Sequence, residues 1–169
     1  MSGFSRVASA AIAIGVFVLD RWSKWVIETQ FTPDTVKTVI PGFFNIVRSE
    51  NPGVAFSMFA DDSWKWHTPA LITLSVVAIL ILAGMLWKID RLDRMSAIGL
   101  SLIFGGAIGN VYDRVHAGVV TDFLDFYIRS YHWYVFNLAD SAICIGAGLL
   151  LLSMFLTNDK AKSHKEASA

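Results

Sequence analysis

The chain has 169 residues, of which 54% are hydrophobic and 17% charged, where an ordinary soluble domain is nearer a quarter charged. Its 14 basic and 14 acidic residues cancel, which excludes a general field for gripping nucleic acid. One cysteine, Cys144, excludes an internal disulfide and a cysteine-based metal knuckle, and four scattered histidines (His67, His116, His132, His164) give no ligand spacing. The length fits a single domain, residues 1–169. The apolar excess is clustered, and that predicts an integral membrane protein.

In chain order, an uncharged run from Val7 to Leu19 meets Asp20, Arg21 and Lys24 and predicts a first helix over about 6–28. It has the basic flank of a signal peptide but no small-residue cleavage site after it, so it reads as a retained span. Residues 30–67 are β-rich: Thr35 to Ile40 alternate polar and β-branched residues, Pro41-Gly42 marks a turn, and Phe43 to Val47 is strand-like. A small sheet on the outer membrane surface is expected there, followed by a short helix near 51–59. Ala70 to Trp87 is 18 residues without a charge, about 27 Å of helix and close to a hydrocarbon core; this second span is placed at about 69–88. Met95 to Tyr112 is equally long and uncharged, giving a third span over 95–113. The fourth, 138–157, carries one charge, Asp140, in its first turn. Glycines 105, 106, 109, 146 and 148 suit close helix packing. Residues 158–169 are short and polar, and a disordered cytoplasmic tail is expected. The fold class is membrane all-α, four transmembrane helices with a small extracytoplasmic sheet and short helix.

Lysine and arginine density sets the orientation. The 2–3 connection holds Lys88, Arg91 and Arg94, the tail Lys160, Lys162 and Lys165, and the amino end Arg6. With four spans these three regions share a side, so both termini are expected in the cytoplasm.

The polar residues then collect at the opposite, outer end: Asp20, Arg21 and Lys24; Asn51; Asn110, Asp113 and Arg114; Asp122 and Asp125; Asn137 and Asp140. Ionisable groups close to hydrocarbon are costly and point to function. Asn137 and Asp140 have the spacing of a reciprocal helix cap, and a helix N-terminus also favours an ionised carboxylate. Asp122, among apolar β-formers with no adjacent base, is expected to be desolvated and harder to ionise. Two carboxylates in unlike settings are what water activation needs, one to accept a proton and one to donate to the scissile carbonyl. Asp125, in an aromatic run, reads as surface. Asp20 and Lys24, four apart, read as an interfacial salt bridge. Arg114 either binds substrate carbonyls or balances Asp113. Ser23-Lys24 is disfavoured as a catalytic dyad because adjacent helical residues point apart. The aromatics between Phe123 and Phe136, seven in fourteen residues, suit an interfacial belt.

Five ordered blocks carry a resemblance: Phe17-Val18-Leu19-Asp20 with Lys24; Asn51-Pro52-Gly53-Val54-Ala55-Phe56; Gly105 through Gly109 to Asn110-Val111-Tyr112-Asp113-Arg114; Gly118-Val119-Val120-Thr121-Asp122-Phe123; and Phe136-Asn137-Leu138-Ala139-Asp140-Ser141. Over roughly residues 10–155 the chain resembles bacterial lipoprotein signal peptidase, signal peptidase II. The resemblance implies an inner-membrane aspartic endopeptidase with no cofactor and no metal. It implies removal of the signal peptide from diacylglyceryl-modified prolipoproteins, before the lipidated cysteine. Asp122 and Asp140 are then the catalytic pair; Asn51, Gly53, Asn110, Arg114 and Asn137 line the site; Asp20, Lys24 and Asp113 support it. Lipidated prolipoproteins, the phospholipid bilayer and globomycin-type cyclic peptides are the implied partners, nucleic acid is not one, and a monomer is expected. The competing class, a small proton-coupled transporter or channel subunit, would put acids at midplane and show repeats; neither is found in the sequence.

Overall fold

In the computed structural model, which describes residues 5–33, 35–53 and 67–166, two of the long helices begin at a side chain that satisfies orphan N–H groups. Ser5 accepts from the Ala8 amide at the start of α1 (Arg6–Gln30). Asp93 accepts from the Met95 and Ser96 amides at the start of α3 (Arg94–Ala117), which ends on Gly118 in the left-handed region, φ +76°. Between them lie β1 (Val36–Ile40), β2 (Phe44–Asn51), α2 (His67–Trp87) and a 3₁₀ turn at Ile89–Arg91. β3 (Val120–Ile128), β4 (Tyr131–His132) and α4 (Leu138–Glu166) complete the chain.

Among the described residues, three helical stretches are long and apolar enough to cross a membrane: Pro69–Trp87, Arg94–Ala117 and Leu138–Thr157. α1 forms the helix expected of the first segment, but Asp20, Arg21, Lys24 and Glu28 in its second half keep it out of that set. α3 is the hub and touches the other three helices. Its glycines allow this approach: a Cβ on Gly99 would lie 2.7 Å from the Gly146 carbonyl, and one on Gly106 2.5 Å from the Ala139 carbonyl. Gly148, expected in the same role, has nothing close to its α-carbon.

The sheet is larger than the one expected from the 1–2 connection alone. All four strands are antiparallel in the order β1-β2-β3-β4, so half of it comes from the segment between α3 and α4. Between Ile46↔Leu124 and Ser49↔Asp122, β2 carries one more residue than β3; such a bulge bends a strand and re-aims its side chains. The aromatic run is not mainly a belt. Phe123 is buried and Phe126 stacks on Phe44 and Phe136, whereas Tyr131, Trp133 and Tyr134 are exposed. The short helix expected near 51–59 falls mostly outside the described residues; Asn51 itself ends β2. The expected disordered tail is corrected through Glu166, because α4 continues that far over residues such as Ala161 and Lys162 with good helix propensity.

At the end opposite the sheet, Arg6 is ion-paired with Asp90 at 3.0 Å and lies over the Trp87 ring, while Ser153 of α4 donates to Asp93 at 2.8 Å. The start of α1, the 2–3 connection and the far half of α4 therefore share one end of the bundle.

Candidate active site

The site is built at the sheet end of α3 and α4 and closed by β2 and β3. The backbone of Phe136 pairs with Leu124, N–H to carbonyl in both directions at 2.8 and 3.1 Å. That pins the residue before the α4 cap beside β3 and brings Asn137 to Asp122. Asn137 is fully buried. Its Nδ2 donates to Asp122 Oδ1 at 2.7 Å and to Asn110 Oδ1 at 3.3 Å. Its Oδ1 accepts from the Asp140 amide at 2.9 Å, and its own amide donates to Asp140 Oδ2 at 3.3 Å. This is the reciprocal cap read from the spacing, with one amide hydrogen spent on a second carboxylate.

Each of the two carboxylates thus takes two neutral donors. Asp122 accepts from Asn137 and, through Oδ2, from Asn51 Nδ2 at 2.9 Å. Asp140 accepts from the Asn137 amide and from Asn110 Nδ2 at 2.8 Å. Asp122 is 2% exposed. Burial is the largest influence on it and, with the nearby Asp140 charge, outweighs the donors, so its carboxyl is pushed up to about 6.

The cation of the cluster stands one step back. Lys24 Nζ reaches Asp20 Oδ2 at 2.8 Å, Asp113 Oδ2 at 2.6 Å and Asn110 Oδ1 at 3.1 Å. The salt bridge read from the i, i+4 spacing of Asp20 and Lys24 is present, and both side chains are fully buried. Asp20 Oδ1 accepts from the Ala139 amide at 3.0 Å, so an acid on α1 satisfies an orphan donor in the first turn of α4. Gly109 makes room for this: a Cβ there would lie 2.6 Å from Asp20 Oδ2.

Asp113 is balanced by Lys24 and Arg21, not by Arg114; neighbours on a helix face apart. Arg114 donates to the Asn110 carbonyl at 3.4 Å, and its Nε is buried without a hydrogen-bond partner among the described residues. Gly53, at φ +88°, packs against that guanidinium, since a Cβ would come within 3.7 Å of Nε and Nη2. The Gly53 amide donates to Asn51 Oδ1 at 2.8 Å, turning the chain just beyond Asn51. Ser23 gives its hydroxyl to the Asp20 carbonyl while Lys24 is held by acids and an amide, so no serine–lysine dyad forms.

Asp125 is corrected from surface to buried, at 4% exposure. It lies three residues from Asp122, and odd separations put side chains on opposite faces of a strand. There it accepts from Asn45 Nδ2 at 3.0 Å and contacts His132 Nδ1 at 2.9 Å. The i, i+3 spacing on a strand was the available signal. Nothing in sequence announced the contact between Asp20 and Ala139, 119 positions apart.

A membrane-helix bundle with a buried carboxylate–amide cluster at one end defines the class, a membrane enzyme. A sequence profile described as signal peptidase (SPase) II matches residues 12–156. The lipoprotein signal peptidase of Solibacter usitatus is 52% identical over 149 residues, covering 88% of this chain and 91% of that protein. That of Alteromonas mediterranea is 42% identical over 154 residues, covering 90% and 83%. A bacterial membrane enzyme solved by the in meso method at 2.3 Å superposes with a TM-score of 0.82 at 28% identity, covering 94% of this chain and 93% of that one. The chain belongs to the signal peptidase II family of aspartic peptidases.

Proposed function

We propose that this chain is an endopeptidase working at the membrane interface, which removes the signal peptide from diacylglyceryl-modified prolipoproteins by cutting before the lipidated cysteine. The observation that carries the reading is the sharing of Asn137 by Asp122 and Asp140, with only neutral donors on either acid among the described residues. A lysine or arginine paired directly with either would lock it as a permanent anion. Here burial pushes the Asp122 carboxyl up to about 6, while Asp140 lies in the first turn of α4.

In the proposed reaction Asp140 takes a proton from water as the oxygen attacks the scissile carbonyl carbon, and Asp122 gives its proton to the carbonyl oxygen. Collapse of the gem-diol returns that proton to Asp122 while Asp140 protonates the departing amine. The unspent Nε of Arg114, against Gly53, is assigned to a substrate backbone carbonyl. Asp20, Lys24 and Asp113 hold the first turn of α4 and the Asn110 amide in place.

The location follows from the same chemistry. A signal helix and acyl chains both reside in lipid, so their junction is presented at the outer interface, where the acids lie. The shared end of Arg6, Asp90 and Asp93 supports four crossings of the inner membrane, α1 included, with both termini cytoplasmic. Globomycin-type cyclic peptides are expected to compete for this site. The test is cleavage of a purified lipidated precursor by Asp122→Asn and Asp140→Asn variants, with and without globomycin: activity surviving in both variants rejects the acid pair and revives the transporter reading.

A further inference from the structure

A second polar cavity, about 490 Å³ and lined by Arg21, Glu28, Arg48, Glu50, Tyr112 and His116 among others, opens beside the outer end of α1. It lies within the size range of ligand pockets, about 300–1,000 Å³. Thr121 also lines it and donates to Glu28 Oε1 at 2.7 Å. Thr121 precedes Asp122 on β3, so the two project to opposite faces of the strand, and this cavity is on the far side from the carboxylate pair.

Its charges are mixed and only partly spent: Arg21 gives Nη1 to Asp113, which also lines the cavity, and its Nη2 has no such partner among the described residues. Arg21 lies over the Tyr112 ring at 5.1 Å, and Tyr112 stacks on His116 at 3.9 Å. Arg21 Nη2 stands 3.8 Å from Glu28 Oε2, beyond hydrogen-bond length. Arg48 gives Nη1 to the carbonyls of Glu28 and Phe31 and Nη2 to Glu50 Oε1, yet its Nε is buried with no acceptor among the described residues. A simple anion would meet Glu28 and Glu50, and a simple cation would meet the two arginines. A zwitterion satisfies both signs.

The depth points to lipid. Trp22 and Trp25 on the same stretch of α1 are 61% and 57% exposed, as in the aromatic layer at headgroup level. Towards the membrane, Val18 and Ile14 follow Arg21 at helical spacing and are 54% and 62% exposed, an apolar stripe on which acyl chains can lie. We propose that this cavity holds the phosphate–amine headgroup of a zwitterionic bilayer lipid, of the phosphoethanolamine class: phosphate towards Arg21 and Arg48, ammonium towards Glu28 and Glu50. The proposal rests on α1 crossing the bilayer, as set out above.

The test uses the purified full-length protein in detergent, with lipid retention measured by native mass spectrometry and by thermal shift. Dioleoyl-phosphatidylethanolamine should be retained about tenfold over the phosphatidylglycerol analogue, equivalent to about 1.4 kcal/mol. A Glu28→Gln/Glu50→Gln variant, near-isosteric, should lose that preference while still binding both lipids. Arg48→Gln should weaken retention of both. Equal retention of the two lipids by the unaltered protein overturns the proposal. Inorganic phosphate or glycerophosphoethanolamine stabilising the protein as well as the lipid overturns the lipid assignment. Precursor cleavage in the same preparations separates the two ideas, since equal retention of both lipids by an unaltered protein that still cleaves overturns only the headgroup site.

Discussion

Two aspartates at opposite ends of the bundle show how differently the same side chain can be held. Asp93, at the start of α3, accepts from the Met95 and Ser96 amides at 2.9 and 3.0 Å and from the hydroxyls of Ser96 and Ser153 at 2.6 and 2.8 Å. Burial acts against its charge, but these donors outweigh it and hold the carboxyl down at about 2. Asp122, at the sheet end, has two amide donors, little water and a second acid nearby, and its carboxyl rises to about 6. The lesson concerns exposure as well as supply: an exposed acid given a full set of donors is held as an anion, while a buried one with few donors keeps its proton up to about 6.

The largest expected effect comes from removing the titratable groups at the sheet end. Asp122→Asn and Asp140→Asn should each lower kcat by about 10⁴-fold or more, since the proposed acid and base act as a unit. Single-turnover cleavage of a lipidated precursor checks this, and far-ultraviolet circular dichroism should show the helices intact. Asn137→Ala comes next. It removes both a helix cap and the bond that aims Asp122, so a fall of about 10²–10³ in kcat is expected, with KM changing far less. A purely capping role would instead lower the melting temperature and leave kcat alone.

The raised carboxyl of Asp122 also has a pH signature in stability. Below its ordinary value of 3.8 the group is protonated in folded and unfolded chains alike. As pH climbs from there to about 6, only the unfolded chain gives up the proton, so folding weakens; above about 6 the full penalty applies, about 3 kcal/mol. Thermal unfolding of the protein in detergent should therefore show a loss of stability across that window that Asp122→Asn lacks. The activity profile should be bell-shaped, with apparent values belonging to the coupled pair.

Much of this could be read in advance because its causes are local. The apolar lengths of α2, α3 and α4, the cap spacing of Asn137 and Asp140, and the desolvated setting of Asp122 are all properties of short stretches. What stayed hidden depends on partners distant in the chain. The i, i+4 spacing of Asp20 and Lys24 announces a pair but not its full burial, which is imposed by Gly109 and Ala139 closing over it. Arg21, not the adjacent Arg114, neutralises Asp113 across 92 positions. Asp125 looked like surface because its aromatic neighbours suited an interface; β3 is instead buried on both faces over most of its length.

The smallest effect should come from the end opposite the sheet, and it sharpens the contrast. Asp93→Ala removes an N-cap, costing about 1 kcal/mol of stability, and leaves cleavage unchanged because no proton moves there. Its pH dependence runs opposite to that of Asp122. With the folded carboxyl held at about 2 against an ordinary 3.8, the stabilisation is complete above 3.8 and disappears as pH falls towards 2. Acid unfolding of the Asp93→Ala variant should lack that component, while the loss between 3.8 and 6 persists. If Asp93→Ala abolished cleavage at neutral pH with folding intact, a fully hydrogen-bonded acid would be acting as a reagent, and the distinction drawn between the two ends would fail.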